Sequence, residues 1–159
     1  MTGRLHLIYG LAGAGKTTVA KQLANQTGAI RFTLDEWMLR LFPELTFGHP
    51  DYPERAAVLR ELFWELAAPA LRSGLDVVLD WNAWSRQRRA WAVTRARTVD
   101  AEVLLHRLST SIDDATLRAE RRARDPDALA HRIDRAGIEH LATLLEEPDP
   151  DEGLIIIEH

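Results

Sequence analysis

Near its start the chain reads LHLIYGLAGAGKTT, from Leu5 to Thr18. This stretch holds every fixed position of the pattern Gly-x-x-x-x-Gly-Lys-Ser/Thr, with Gly10 at the first position and Thr17 at the last. Apolar residues precede the pattern and residues that favour a helix follow it, which is the context in which this pattern binds phosphate groups. The stretch therefore predicts a buried strand over residues 5–9, a phosphate-binding loop, and a helix that starts where the loop ends.

The residue types in this loop suit the binding of a nucleoside triphosphate such as ATP. Glycine has no Cβ, so the backbone can pass close to phosphate oxygens and point its N–H groups at them, and the following helix adds its partial positive end. We expect Lys16 to reach the β- and γ-phosphates and the Thr17 hydroxyl to ligate Mg²⁺, while Thr18 lies nearer the helix surface. The candidate nucleotide-binding residues are Gly10, Ala12, Gly13, Ala14, Gly15, Lys16, Thr17 and Thr18. The alternative is a glycine-rich turn that enters a helix and binds nothing.

The length and composition fit one globular domain over residues 1–159. No apolar run approaches the roughly 20 residues that a membrane span needs. The first residues do not form a secretory signal, and the chain contains no cysteine, which fits a reducing compartment. We therefore expect a cytoplasmic protein with no membrane partner, and the composition leaves its oligomeric state open.

The net charge of −4, with a pI near 5.9, argues against a protein that coats duplex nucleic acid. Local basic clusters lie in residues 86–97 and 118–124, and nearly all the basic residues are arginines, which suit bidentate phosphate contacts. A long polyanion is therefore disfavoured as a partner. A narrow single-strand path lined by Arg86, Arg88 and Arg89 stays as an alternative.

Five short apolar runs alternate with segments of helical periodicity. The runs lie at residues 5–9, 29–34, 76–80, 101–108 and 154–157. Strands that alternate with helices pair in parallel through right-handed crossovers. The pattern therefore predicts an α/β fold of three layers, in which a five-stranded parallel sheet has helices on both faces.

Capping and breaking residues predict where the helices begin and end. Beyond the helix after the loop, they lie at residues 37–42, 53–73, 85–96, 111–124 and 128–145. Ser85 is the expected cap of the basic helix, and Ser111 or Thr110 that of the next helix. The acidic residues 146–153 are expected to form a solvated, mobile turn.

Two aspartates follow predicted strands, at the edge where α/β sheets bind ligands. Asp80 closes a strand and is placed to hold Mg²⁺ beside Thr17, with a capping or loop aspartate as the alternative. Asp35 follows the second strand, which we expect to lie close to the first, so its carboxylate would face the γ-phosphate. Phosphoryl transfer to an alcohol needs a base that accepts the hydroxyl proton, and Asp35 is the candidate. Capping of the following helix is its alternative role.

Four arginines recur at helical spacing near the end of the chain, so at least two share one face of a helix. We expect this helix to belong to a lid over residues 112–127, where Arg121 and Arg124 are the preferred candidates to neutralise charge on the transferred phosphoryl group. An ordinary arginine-rich surface helix is the alternative.

Aromatic residues gather where an acceptor would lie. Trp37, Trp81 and Trp84 follow strand ends and could stack on a base or a sugar, although core packing also explains tryptophan. Phe47 lies in a loop, residues 43–53, that precedes the long helix. The candidate acceptor-binding residues are Trp37, His49, Tyr52, Trp81, Asn82, Trp84 and Arg89. The six histidines show no metal-binding spacing and are expected to be structural or exposed.

The loop, the aspartate after the second strand, the run VVLDWN at residues 77–82 and the late arginine-rich helix together resemble the small P-loop kinases. The pattern is similar to the kinase domain of polynucleotide kinases and to zeta-toxin-like and chloramphenicol phosphotransferase-like enzymes. The resemblance implies a nucleotide-kinase-like P-loop NTPase fold, with Lys16 and Thr17 at the phosphates and metal, Asp35 as base, and Arg121 and Arg124 as lid arginines.

One position departs from the pattern of the polynucleotide kinases. The resemblance implies the motif Asp-x-x-Arg after the second strand, but Met38 stands at the arginine position in this sequence. This disfavours a nucleic-acid acceptor. We therefore expect a kinase that uses ATP, or another NTP, and Mg²⁺ to phosphorylate a hydroxyl group of a small molecule. The alternatives are a polynucleotide 5′-hydroxyl kinase and, from another class, a nucleotide-binding switch or NTPase.

Overall fold

A parallel sheet of five strands forms the middle layer of the protein. The computed structural model describes residues 1–46, 48–127 and 131–159. The strands are β1 (Leu5–Tyr9), β2 (Ile30–Thr33), β3 (Val77–Asn82), β4 (Val103–Arg107) and β5 (Ile155–Glu158). They lie in the order β2-β3-β1-β4-β5, and every neighbouring pair is parallel. The predicted sheet is confirmed.

Helices connect the strands. They are α1 (Lys16–Thr27), α2 (Leu34–Leu41), α3 (Tyr52–Arg72), α4 (Arg86–Arg97), α5 (Ile112–Ala123) and α6 (Arg135–Thr143), and Pro150–Glu152 forms a turn of 3₁₀ helix. Within the described ranges, no helix is both long and apolar enough to cross a membrane.

The sheet is covered on both faces. Leu5 of β1 belongs to a core cluster with Phe63 of α3 and Val93 of α4. Ile8 of the same strand belongs to a second cluster with Ala20 of α1. Because alternate residues of a strand point to opposite faces, β1 is buried from both sides, which explains its uninterrupted apolar sequence. The predicted three-layer arrangement is confirmed.

Several helix ends follow the predicted local signals. The Ser85 hydroxyl accepts a hydrogen bond from a backbone N–H of the first turn of α4 at 3.2 Å. Ser111, rather than Thr110, caps α5 in the same way at 3.1 Å. Gly28 ends α1 in the left-handed conformation, with φ of 72°.

Strand β2 lies farther from β1 than expected. It pairs with β3, with Ile30 opposite Val77 and Thr33 opposite Asp80, and β3 in turn pairs with β1. The expectation that β2 lies close to β1 is corrected in this respect, since β3 separates the two. Asp35, which follows β2, therefore reaches the phosphate loop across the end of β3.

Helix α6 is shorter than the helix predicted over residues 128–145. Asp134 accepts the backbone N–H of Gly137 at 2.8 Å and so caps a helix that begins at Arg135. Residues 131–134 are not helical, and residues 128–130 lie outside the described ranges. The predicted start is wrong because an aspartate cap sets the boundary later in the chain.

Ion pairs hold the acidic residues 146–153 against α4. Arg86 donates to both carboxylate oxygens of Asp151, at 2.7 and 2.9 Å. Arg89 has no exposed surface and donates to Glu152 through Nε at 2.7 Å and Nη2 at 2.9 Å. The expectation of a mobile turn is therefore corrected: a buried guanidinium needs a carboxylate partner, and this segment supplies it.

A row of hydrogen bonds joins three histidines across the sheet. His6 Nε2 lies 3.3 Å from a carboxylate oxygen of Asp76. His6 Nδ1 lies 2.9 Å from His106 Nε2, and His106 Nδ1 lies 2.8 Å from His159 Nε2. An ionised carboxylate only accepts hydrogen bonds, so the row is satisfied when each neutral imidazole donates through Nε2 and accepts through Nδ1.

Burial favours the neutral form of the two inner histidines of this row, His6 and His106. Burial, with smaller effects of His6 and His159, lowers the pKa of His106 to about 4. Burial also lowers the pKa of His6, against the opposing effect of Asp76. A histidine in the unfolded chain has a pKa of about 6.5, so the unfolded state takes up protons first as the pH falls.

We predict that His106 makes the fold sensitive to acid. Its contribution to the free energy of unfolding is complete above pH 6.5 and is lost as the pH falls toward 4, which amounts to about 2 kcal/mol between pH 7 and pH 5. Urea unfolding at these two pH values measures the loss. It is expected to shrink in His106→Gln and to stay as in wild type in His140→Gln, which changes an exposed histidine. An equal loss in wild type and His106→Gln would show that His106 is not the group responsible.

Candidate active site

The phosphate loop closes tightly against α5. Gly13 and Gly15 adopt φ values of 82° and 93°, in the left-handed region that favours glycine. A Cβ at Gly13 would lie 2.3 Å from the carbonyl oxygen of Ala115 in α5. Glycine is therefore required at Gly13 both by the backbone conformation and by the approach of another helix.

The Lys16 side chain folds over the loop. Its Nζ donates to the carbonyl oxygens of Gly10, at 3.1 Å, and Leu11, at 2.5 Å. Burial lowers the pKa of Lys16 to about 8, against the opposing effect of the carboxylates of Asp35 and Asp80. A cationic Nζ held at the mouth of the loop fits the predicted contact with phosphate oxygens.

Thr17 and Asp80 meet at the carboxyl ends of β1 and β3. The Thr17 hydroxyl lies 3.4 Å from Asp80 Oδ1, while Asp80 Oδ2 accepts a hydrogen bond from Arg31 at 2.6 Å. Arg31 also donates to Glu36 at 3.1 Å. Burial raises the pKa of Asp80, and the guanidinium of Arg31 opposes that rise. A hydroxyl beside a carboxylate is a donor set that Mg²⁺ accepts, so both predicted metal residues fit the ion.

Asp35 lies in the first turn of α2, directly after β2. Burial raises the pKa of its carboxylate, and four basic side chains act against that rise. These groups are His131, Lys16, Arg122 and Arg88. Asp35 is therefore the carboxylate on which the phosphate loop, α4 and α5 all act.

The arginines of α5 divide between two sides of the helix. Ala115 and Ala119 are buried against the loop side, and Arg118 and Arg122 follow them at intervals of three residues. Arg118 Nη1 donates to the carbonyl oxygen of Ala14 in the loop at 2.8 Å.

Arg122 interacts electrostatically with both Lys16 and Asp35. In the described part of the chain, no hydrogen bond or ion pair joins Arg121 or Arg124 to the loop or to Asp35. The structure thus brings Arg118 and Arg122 to the site and leaves the two preferred arginines at its margin. Sequence spacing showed that some arginines share a face but could not show which face meets the loop.

Two of the three predicted stacking tryptophans pack against the protein. Trp81 stacks on Phe63 with ring centroids 5.9 Å apart and also touches Trp91. Trp37 is 44% exposed and meets the Phe63 ring edge-on at 5.3 Å. Core packing, the alternative given for tryptophan, accounts for Trp81 and for one side of Trp37.

The other predicted acceptor residues are distributed unevenly. Asn82 donates through Nδ2 to the carbonyl oxygen of Gly10 at 2.8 Å, beside the loop. Tyr52 is buried at the start of α3 and interacts electrostatically with Asp35. His49 accepts the backbone N–H of Asp51 at 3.2 Å within a turn.

One predicted position, Arg89, does not contribute an accessible side chain. Arg89 is fully buried and bonded to Glu152, so the predicted contact with a substrate does not fit its position. Phe47 lies outside the described residues.

Some residues near Asp35 were missed by the sequence analysis. His131 lies edge-on to Tyr52 at a centroid distance of 5.6 Å and interacts electrostatically with Asp35. The guanidinium of Arg88 lies over the Trp84 ring, 5.1 Å from its centroid. The sequence did not distinguish Arg88 from its neighbour Arg89. No local signal separates these two arginines, because the cap at Ser85 fixes where α4 begins but not which side of the helix packs against the sheet.

A cleft of about 460 Å³ opens beside the loop at the carboxyl ends of β1 and β4. Its lining includes Gly10, Leu11, residues 109–111 and Leu145. Small-molecule sites are commonly about 300–1,000 Å³. The cleft is therefore large enough for part of a nucleotide.

Comparison with known proteins agrees with this architecture. Residues 5–148 match AAA_33, a family of AAA domains. No curated protein matches the sequence.

Solved structures with the same fold include kinases. A proposed kinase from Chloroflexus aurantiacus is 22% identical with a TM-score of 0.69, over 99% of this chain and 89% of that one. Kti12 of Chaetomium thermophilum, in complex with ADP-AlF3, is 20% identical with a TM-score of 0.71, over 97% and 88%. An APS kinase of Mycobacterium tuberculosis, in complex with AMPPNP and APS, is 20% identical with a TM-score of 0.62, over 99% and 88%. The chain therefore belongs to the AAA_33 family of AAA domains, and its α/β fold is that of the P-loop kinase-like superfamily.

Proposed function

We propose that the protein is a kinase that uses ATP and Mg²⁺ to phosphorylate a hydroxyl group of a small molecule. The observation that carries the proposal is that the Asp35 carboxylate, directly after β2, interacts electrostatically with Lys16 of the phosphate loop and with Arg122 and Arg88. A hydrolase or a nucleotide switch needs a positioned water. A kinase needs a base and an acceptor pocket, and both Asp35 and the side chains around it suit that need.

Each residue then has a separate task. Bound ATP supplies the phosphoryl group, and Mg²⁺ neutralises charge on its phosphates. Lys16 and the loop N–H groups would hold phosphate oxygens, while Thr17 and Asp80 would hold the metal. Asp35 would accept the proton of the acceptor hydroxyl, and the rise of its pKa on burial makes it a stronger base. The cleft beside Gly10 offers room for the rest of the nucleotide.

Screening of hydroxyl compounds with γ-labelled ATP tests the function directly. We expect label to pass to a small hydroxyl compound and not to the 5′ end of short single-stranded DNA or RNA. Binding of a single strand that neutralises several phosphates would make log K fall with log salt by about 0.7 per contact, so a salt titration separates the two acceptors. End labelling with a steep salt slope would favour a polynucleotide kinase, and slow hydrolysis with no labelled acceptor would favour an NTPase.

Substitutions at Lys16 and Asp35 should separate binding from catalysis. Lys16→Ala removes a cation from the phosphates, so we expect weaker ADP binding and no transfer. Asp35→Asn leaves the loop intact, so ADP affinity should stay near wild type while kcat falls by about 10²- to 10⁴-fold. Calorimetry and steady-state kinetics measure the two effects, with Glu44→Gln as an exposed control. Activity of Asp35→Asn within about threefold of wild type would exclude a base at this position.

The arginines of α5 provide a second test. Arg122→Ala should lower kcat by about 10³-fold if its guanidinium stabilises charge on the transferred group. Arg124 lies directly after the same helix, and in the described residues no hydrogen bond or ion pair joins it to the loop, so Arg124→Ala should keep near-normal kinetics. A larger loss of kcat in Arg124→Ala than in Arg122→Ala would support the sequence prediction that Arg124 is a lid arginine.

A further inference from the structure

Two partly buried arginines, one in α3 and one in α4, form no ion pair with a carboxylate among the residues that the structure describes. Arg88 lies over the Trp84 ring and donates through Nη1 to the carbonyl oxygen of Asn82 at 3.4 Å. Arg60 is the second. In the described part of the chain, no salt bridge joins a carboxylate to either guanidinium.

Arg60 is directed toward the same region by the geometry of α3. Tyr52 and Ala56 lie on the buried face of this helix, and Arg60 follows them at the next interval of four residues. Tyr52 interacts electrostatically with Arg60, Arg88 and Asp35. The two arginines, the tyrosine and the aspartate therefore belong to one cluster between α2, α3 and α4.

This cluster places like charges together. Burial lowers the pKa of Arg60 and of Arg88, and the charge of Arg60 lowers the pKa of Arg88 further. Arg89, the residue after Arg88, differs in this respect. It donates to both carboxylate oxygens of Glu152, which neutralise its charge. Arg89 thus has a carboxylate partner within hydrogen-bond distance, whereas in the described part of the chain neither Arg60 nor Arg88 forms an ion pair with a carboxylate.

We propose that the hydroxyl acceptor carries an anionic group, a carboxylate or a phosphate, which Arg60 and Arg88 bind together. The proposal rests on the kinase function and names the class of its substrate. Guanidinium groups bind both anions through paired N–H donors, so the chemistry is shared between the two. Asp35 interacts with Lys16 and Arg122 as well as with Arg88, so it lies between the phosphate loop and this arginine pair. An acceptor anchored by the pair would thus present its hydroxyl to the base.

Binding to the ADP-loaded protein tests the anion site apart from catalysis. Saturating ADP and Mg²⁺ fill the phosphate loop, and calorimetry then measures gluconate and glycerol 3-phosphate against the neutral analogues sorbitol and glycerol, with inorganic phosphate as a minimal anion. We expect at least one anion to bind and neither neutral analogue to do so. Its affinity should fall about 10- to 100-fold in Arg60→Gln and in Arg88→Gln, because each removes charge-assisted hydrogen bonds. The anion that binds identifies carboxylate or phosphate as the recognised group.

Control variants separate the effect of losing a charge at the anion site from a general effect on the fold. Arg72→Gln removes an exposed arginine of α3 and should bind as wild type. Arg60→Lys and Arg88→Lys keep the charge and should recover part of the affinity, which a purely structural role would not produce. Absence of anion binding, or binding unchanged in both glutamine variants, would overturn the inference.

The experiments distinguish failure of the anion site from failure of the kinase function. Phosphorylation of a neutral acceptor with unchanged KM in Arg60→Gln and Arg88→Gln would remove the anion site and leave the kinase in place. Arginine-dependent anion binding without transfer to any hydroxyl compound would support the anion site and count against the kinase.

Discussion

The contact between Gly13 and the backbone of Ala115 is the constraint on which the candidate site depends. A side chain at residue 13 would collide with a carbonyl oxygen, and that oxygen cannot rotate away because it belongs to a helix. Helix α5 is therefore seated directly on the phosphate loop, and the hydrogen bond from Arg118 to Ala14 adds to the contact. This packing brings α5 to the loop, and Arg122 interacts electrostatically with Lys16.

The charges around Asp35 follow a pattern that the net charge of the chain does not reveal. The whole molecule is acidic, yet this carboxylate interacts electrostatically with lysine, arginine and histidine side chains from four segments. Asp80, one strand away, is paired directly with Arg31, which donates to its carboxylate at 2.6 Å. Such local fields govern how anions bind, because charges within a few ångströms in a partly buried site are screened far less than charges spread over the surface.

Local signals were sufficient for much of the fold. The apolar runs marked all five strands, and Ser85 and Gly28 marked helix ends, because burial on two faces and capping hydrogen bonds depend on residues close in sequence. Lys16, Thr17, Asp80 and Asp35 also lie at the sheet edge that the parallel pattern predicted. The choice between Arg88 and Arg89, or between Arg121 and Arg122, could not be made in this way. A shift of one residue turns a helical side chain by about 100°, and only the packing of α4 and α5 decides which one faces inward.

The ion pair between Arg89 and Glu152 has a consequence for how this family can vary. The two residues are 63 positions apart, and the guanidinium is fully buried. Loss of either partner alone leaves a charge in the core, which costs about 3–5 kcal/mol, whereas replacement of both by apolar residues of similar volume can be nearly neutral. Evolutionary exchange at one position should therefore be tied to exchange at the other. Descendants of a common ancestor are expected to carry either the complete pair or an apolar substitute, with mixed combinations selected against.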